Sequence, residues 1–224
     1  GYDSWGIAAK DNKGKMRIEK YIGKISETKN SHLSSLNSHL AIGHTRWATH
    51  GGVTAFNAHP HLDCTQKIAV VHNGIVENHT KLKEDLKKRG HKFHSETDTE
   101  VISHMIEENL KKTDKFSDAV RHAYLMLNGL NAIVVLDIES QEIVAAKNGS
   151  PLIVGRAEND FFIASDASAI IPYTRKLLFL DDNKMVVLNT QIKVLTIKSG
   201  EEVQPLFEEI DWKVEETKIG KYKH

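Results

Sequence analysis

The apolar positions of this chain keep two different periods. Short apolar runs at residues 6–9 and 16–22 flank Asp11-Asn12-Lys13-Gly14, whose residues suit a tight turn, and predict a β-hairpin. Leu33, Leu36 and Leu40 lie at helical spacing, so residues 31–40 predict a helix, with an extended run at 41–45 behind it. Residues 46–66 hold no period and carry glycines, a proline and several histidines; a structureless stretch of that length predicts a binding loop or lid. A β-branched run at 67–72 predicts a strand ending on Asn73-Gly74. Leu82 and Leu86 mark a helix closed by Gly90, which suits the left-handed position after a helix end. Val101, Ile102, Met105, Ile106 and Leu110 draw one face of a second helix, for which Thr97 and Glu100 have the spacing of a capping box. Ala119, Val120, Ala123 and Leu127 do the same for a third helix over 116–127. Beyond it the period falls to two: strands at 132–138, 141–147, 152–155, 161–165, 184–188 and 193–197, with turn residues between them, predict antiparallel hairpins. Strands, then helices, then strands again predict an α+β sandwich.

Length and charge narrow the picture. The 224 residues suit one domain of this kind, and 30 basic residues balance 30 acidic ones, so no net field draws the protein to nucleic acid or an anionic membrane. No apolar run reaches the roughly 18 residues of a membrane helix. The expected partner is therefore a small molecule or another protein. Cys64 has no internal partner for a disulfide, which makes a reducing, cytoplasmic setting the default. The chain opens on Gly1-Tyr2-Asp3-Ser4 and ends in a Lys- and Glu-rich tail, and is read as a piece of something longer: a domain over 1–210 and the start of a linker over 211–224.

Two places carry candidate chemistry. His44-Thr45-Arg46-Trp47-Ala48-Thr49-His50-Gly51 offers a guanidinium, an indole, hydroxyls and imidazoles at a strand end. A planar Arg fork suits a carboxylate ligand, while the plainer reading is a surface strand end with a packing tryptophan. Asn73-Gly74 is either a type I′ turn or a side-chain amide beside a glycine N–H, the pair of donors that an oxyanion hole needs. His59-Pro60-His61 invites a metal reading, yet a structural zinc site wants four ligands, and no HExxH or paired cysteines appear. No metal and no other cofactor is expected.

The order of motifs then resembles a known family. Gly1-Tyr2-Asp3-Ser4, His44 to Gly51, Asn57-Ala58-His59-Pro60-His61, Val71-His72-Asn73-Gly74-Ile75, Ser95-Glu96-Thr97-Asp98-Thr99-Glu100, Gly149-Ser150-Pro151-Leu152 and Ser165-Asp166-Ala167 resemble the class II glutamine amidotransferases over essentially the whole chain. Trp47-Ala48-Thr49-His50 and Asn57 to His61 favour the amino-sugar branch over the purine, asparagine and glutamate branches; Trp5, where a small residue is usual, is the one departure. The resemblance implies the N-terminal nucleophile (Ntn) hydrolase fold, a four-layer αββα sandwich with two antiparallel sheets. It implies hydrolysis of L-glutamine to glutamate and ammonia. In a full-length homodimer, the ammonia would convert fructose 6-phosphate to glucosamine 6-phosphate in sugar isomerase domains beyond His224.

By position, the resemblance implies that Arg46 holds the α-carboxylate of glutamine and Asp98 its α-amino group, with Thr49, His50 and Gly74 completing the pocket. The Asn73 side chain and the Gly74 N–H would stabilise the oxyanion. Trp47 and His59 would lie in a mobile loop closing over glutamine, with Trp47 helping to gate ammonia. The implied nucleophile is a cysteine at the mature N-terminus, ahead of Gly1, whose own α-amine is the base. These 224 residues alone are thus expected to be inactive, and internal Cys64 is not the expected nucleophile. The alternatives are the glutaminase domain of another class II amidotransferase and a glutamine-binding module without catalysis. Both oxyanion residues argue against the second, since a binder gains nothing from stabilising a tetrahedral adduct.

Overall fold

Residues 3–27 and 38–211 are described by the computed structural model. The helix expected at 31–40 and the linker expected from 211 fall almost wholly outside them. In chain order the elements are β1 (Ser4–Lys10), β2 (Met16–Ile22), β3 (Ala41–Arg46), β4 (His61–Leu62), β5 (Ile68–Gly74), α1 (His79–Lys88), α2 (Glu100–Leu110) and α3 (Phe116–Leu125). They continue with β6 (Asn131–Asp137), β7 (Glu142–Asn148), β8 (Ile153–Arg156), β9 (Phe161–Ala164), β10 (Lys176–Phe179), β11 (Lys184–Leu188), β12 (Ile192–Thr196), β13 (Glu202–Val203) and β14 (Glu208–Glu209).

The strands build a seven-stranded sheet in the order β13-β12-β11-β7-β6-β5-β4, a four-stranded sheet β14-β10-β8-β9 and a three-stranded sheet β2-β1-β3. Pairing is antiparallel, as in β1 with β2 and β3, and β5 with β6. The large sheet is buried on both faces. Ile68, Val70, Ile133, Val135, Val144, Ala146, Met185 and Val187 pack under the helices against Val101, Ile102, Met105, Ile106 and Val120. Their neighbours in sequence point the opposite way, because side chains alternate across a strand. Ala69 and Val71 meet Ala8 and Ile42 of the three-stranded sheet, while Ala145, Val186 and Leu188 meet Val154 and Leu178 of the four-stranded one and Leu152 just before it. Burial on both faces is why β5 reads as one continuous apolar run.

The α+β class and the stacked antiparallel sheets are as expected. Among the described residues, the second β layer is divided into two small sheets, and α1, α2 and α3 all lie on the outer side of the large one. Their helical faces correspond to the 3.6-residue spacing, and Gly90, at φ +93°, closes the turn after α1.

The capping box does not form. Thr99 precedes α2, and the Thr97 hydroxyl instead bonds Ser95 Oγ and His61 Nε2, both at 3.0 Å. Glu100 reaches further back than a capping box allows and accepts from the N–H groups of His94 (2.8 Å) and Ser95 (2.7 Å) and from Ser95 Oγ (2.7 Å). At this buried junction, the imidazole of His61 and the turn amides offer stronger partners than the helix end. The result is a hydrogen-bonded lead-in that holds Asp98 two residues before α2. β10 was not legible in sequence, because buried Leu177 and Leu178 stand side by side without alternation, and β4, β13 and β14 are too short to show a period. No helix of the described residues is long and apolar enough to cross a membrane.

Candidate active site

A cleft of about 230 Å³ opens where β3, β5 and the lead-in to α2 end side by side. Arg46, Trp47, Thr49, His59, Asn73, Gly74 and Asp98 line it, drawn from positions far apart in sequence. His50 does not. Its ring stands edge-on to His79 at 5.6 Å, and its contribution is the backbone carbonyl that accepts from Arg46 Nη2.

Arg46 is the last residue of β3 and only 4% exposed. Its guanidinium gathers the following loop by donating to the carbonyls of His50, Gly51 (3.5 Å) and Gly52 (3.3 Å). The loop is in turn bound to the lead-in of α2: Asn57 Nδ2 donates to Gly52 O (2.9 Å) and Glu96 Oε2 (3.1 Å), and Glu96 N–H donates to Asn57 Oδ1 (2.9 Å). Asp3 fixes the next turn by accepting from the Ala48 N–H at 2.8 Å. Burial lowers the Arg46 pKa, and the carboxylates of Asp3 and Asp98 oppose that pull.

Asn73-Gly74 is not a hairpin turn. Both residues belong to β5 and pair with Ala132 and Asn131 of β6. Gly74 has φ +135°, and a Cβ there would lie 2.2 Å from the Leu130 carbonyl oxygen, so the position excludes every side chain. Asn73 Oδ1 lies 2.8 Å from His44 Nε2 on β3. Burial pulls His44 down to about 4, against the opposing hydrogen bond from Asn73. A neutral imidazole has one N–H, and with that N–H on Asn73 Oδ1 the Asn73 amide nitrogen is turned away from His44 as a free-facing donor. Asp98 Oδ2 accepts from the Val76 N–H at 2.7 Å, which clamps the backbone just beyond Gly74. His72 bridges Thr99 Oγ1 and Asn131 Oδ1, each at 2.9 Å, and so ties the end of β5 to α2 and β6.

His59 lines the cleft from a buried position, with its ring centroid 4.5 Å from that of His44 and 5.0 Å from that of His61. A Cβ on Gly6 would lie 2.4 Å from the His59 carbonyl, so β1 packs directly on this segment. Trp47 stands 70% exposed at the rim. His44, His72, Asp3, Asn57 and Glu96 were visible only as members of motifs, since each acts through a partner distant in sequence.

The buried histidines make a stability prediction. Burial holds His59 and His61 well below the usual imidazole range and also lowers His72, alongside His44. Above pH ~6.5 neither the folded nor the unfolded state protonates these rings. Below it the unfolded chain takes up protons that the fold refuses, so stability falls as the pH falls, down to about 4 for His44. Each such ring contributes up to about 1.4 kcal/mol per pH unit. Urea midpoints should therefore drop steeply between pH 7 and 5; a flat profile would show that these rings charge without penalty.

Stacked antiparallel β layers, with an Arg, an Asn-Gly pair and an Asp meeting at one end, define an amidohydrolase of the Ntn type. The family model described as "Glutamine amidotransferase domain" matches residues 44–172, more than half of the chain, and the chain belongs to that family. It is 47% identical to the glutamine–fructose-6-phosphate aminotransferase (isomerizing) of Pyrococcus horikoshii and 44% identical to that of Thermus thermophilus. All of this chain is covered in both, but only 38% and 37% of those proteins, so it spans little more than a third of these relatives. Among solved structures, it is similar to an allosteric regulatory enzyme of purine biosynthesis (TM-score 0.74, 30% identity) and to the glutamine phosphoribosylpyrophosphate amidotransferase of B. subtilis (TM-score 0.72, 28% identity). Each covers 88% of this chain and 43% of the other.

Proposed function

We propose that the cleft binds L-glutamine as a zwitterion and releases its side-chain nitrogen as ammonia, for transfer to fructose 6-phosphate in the complete protein. The observation that carries this reading is the convergence of Arg46, Asn73-Gly74 and Asp98 on one small cleft. The guanidinium suits the α-carboxylate and the Asp98 carboxylate the α-ammonium, so the two ends of the amino acid select opposite charges. Burial keeps His44, His59 and His72, which also line the cleft, from adding a competing positive charge near neutral pH. The side-chain carbonyl then faces Asn73 Nδ2 and the Gly74 N–H. The α-amine of the N-terminal cysteine takes the thiol proton as sulfur attacks this carbonyl, forming the C–S bond and an oxyanion on these donors; the proton then passes to the nitrogen as the C–N bond breaks and ammonia leaves, and water hydrolyses the thioester to glutamate and the free thiol.

Cys64 does not line the cleft, and its sulfur faces His91 and His104. The thiol in this reading comes from an N-terminal cysteine ahead of Gly1 in the complete protein. An electrophilic glutamine analogue, mapped by peptide mass spectrometry, should label that cysteine; an adduct on Cys64 would overturn the assignment. Arg46→Lys keeps the charge but loses the planar fork, and should raise the KM for glutamine about 10- to 100-fold, the equivalent of one or two charge-assisted hydrogen bonds. An unchanged KM would remove Arg46 from the binding role. Glutamine-dependent formation of glucosamine 6-phosphate by the complete chain, in a homodimer with sugar isomerase domains, is the further expectation that the relatives support.

A further inference from the structure

We propose that Cys64, His91, His104 and Glu107 form a binding site for one Zn²⁺ ion, separate from the glutamine cleft. Cys64 lies in the turn between β4 and β5, His91 just beyond the end of α1, and His104 and Glu107 one turn apart on α2. Their four donor atoms lie within 4.8 Å of one another. His91 and His104 are buried, while Cys64 stands at the surface and gives an ion a way in.

The hydrogen bonding leaves a place for a cation. His91 Nε2 lies 2.9 Å from Glu108 Oε1, and the tautomer with its proton on that nitrogen leaves a lone pair on Nδ1. That nitrogen lies 3.1 Å from Glu107 Oε2, itself an acceptor, and 3.6 Å from Cys64 Sγ. His104 Nδ1 repeats the arrangement, 3.4 Å from the same carboxylate oxygen and 3.6 Å from the same sulfur. One thiol carries one proton and cannot bridge all of these contacts. A dication at the centre would bond the sulfur, both Nδ1 atoms and the carboxylate at once. Tetrahedral zinc, with bonds of about 2.3 Å to sulfur and about 2.0–2.1 Å to nitrogen or oxygen, sets ligand atoms about 3.4–3.5 Å apart; the four contacts above span 3.1–3.6 Å and no pair exceeds 4.8 Å, so small side-chain shifts close the set around an ion.

The surroundings also fit. Metal-bound imidazoles usually direct their second nitrogen at a carboxylate, which orients the ring. Glu108 does this for His91, and Glu100 Oε1 lies 3.7 Å from His104 Nε2, a buried nitrogen with no hydrogen bond of its own. The thiolate, two imidazoles and a carboxylate form a set that suits zinc better than calcium or magnesium. The ion would pin the β4–β5 turn and the end of α1 to α2, the helix whose lead-in presents Asp98. The sequence holds no HExxH or paired cysteines to announce such a site, and the rings of His59 and His61 are engaged elsewhere; the fold brings together four residues from three separate stretches of the chain.

The test uses protein stripped with a chelator and titrated with Zn²⁺ against a chromophoric competitor, with Co²⁺ as a spectroscopic substitute. One equivalent of zinc should bind, and Co²⁺ should show tetrahedral visible bands with a thiolate charge-transfer band in the near ultraviolet. Cys64→Ser, at an exposed turn that tolerates the change, should abolish that band and weaken zinc binding at least about 10-fold. Glu108→Gln, which among the four ligands meets only His91 while its other partners are Arg89 and Lys111, should weaken it about 10- to 100-fold, whereas His122→Gln should not. Absence of a tight equivalent, a cobalt spectrum without the thiolate band, or unchanged affinity in Cys64→Ser would overturn the site. None of these readouts depends on glutamine hydrolysis.

Discussion

Replacing Asn73 by alanine should lower kcat for glutamine hydrolysis in the complete protein by about 10²–10³, while KM for glutamine stays within a few-fold. The split follows from timing. In the ground state the substrate carbonyl is neutral and gains little from the Asn73 amide, whereas in the tetrahedral adduct the same oxygen carries a full charge. A donor held in place before the reaction stabilises the second state far more than the first. His44 supplies the holding, through its 2.8 Å contact with Asn73 Oδ1. Asn73→Asp should be no better than alanine, because it sets an acceptor against a developing anion. A comparable rise in KM with kcat preserved would show that Asn73 binds glutamine rather than its adduct.

Gly74→Ala should remove both stability and activity. The backbone at φ +135° is strained for any L side chain, and the new Cβ would lie 2.2 Å from the Leu130 carbonyl. Strain at such a position costs of order 1–3 kcal/mol, and relieving the overlap must move the end of β5 away from β6. Asn73, His72 and the Val76 amide move with it, so kcat should fall at least as far as in Asn73→Ala. Gly90→Ala provides the contrast: its φ is also positive, at +93°, but nothing lies within 4 Å of its added Cβ. That variant should cost about 1–2 kcal/mol, from the left-handed backbone alone, and leave glutamine hydrolysis unchanged. Urea denaturation of both variants, alongside glutamate release, checks the pair; wild-type stability in Gly74→Ala would contradict the close packing against β6.

The legible part of the fold was the part ruled by local repetition. Residues 16–22 and 184–188 match β2 and β11 at both ends, and the apolar faces of α1, α2 and α3 match helical spacing, because burial of one face imposes a period on the chain itself. What failed had competing partners from elsewhere. Thr97 and Glu100 have capping-box spacing, but His61 and the amides of His94 and Ser95 claimed their side chains. The candidate site divided along the same line. Arg46, Asn73, Gly74 and Asp98 could be named from motifs that resemble a family, and the cleft unites them. Their supports, His44 beneath Asn73 and Asn57 with Glu96 behind the loop, could not be named.

Periodicity along the chain carries the α+β class and most strand and helix positions, and side-chain chemistry offers a guanidinium suited to a carboxylate, whereas the role of Asp98 and the substrate rest on the resemblance to a family. Tertiary structure decided which groups meet. Cys64 lies 27 residues from His91 and 40 from His104, yet its sulfur is 3.6 Å from both rings, and Asp98 reaches the Val76 amide across 22 residues. Contacts of that range arise from the packing of α2 against the end of the large sheet, and no local spacing encodes them.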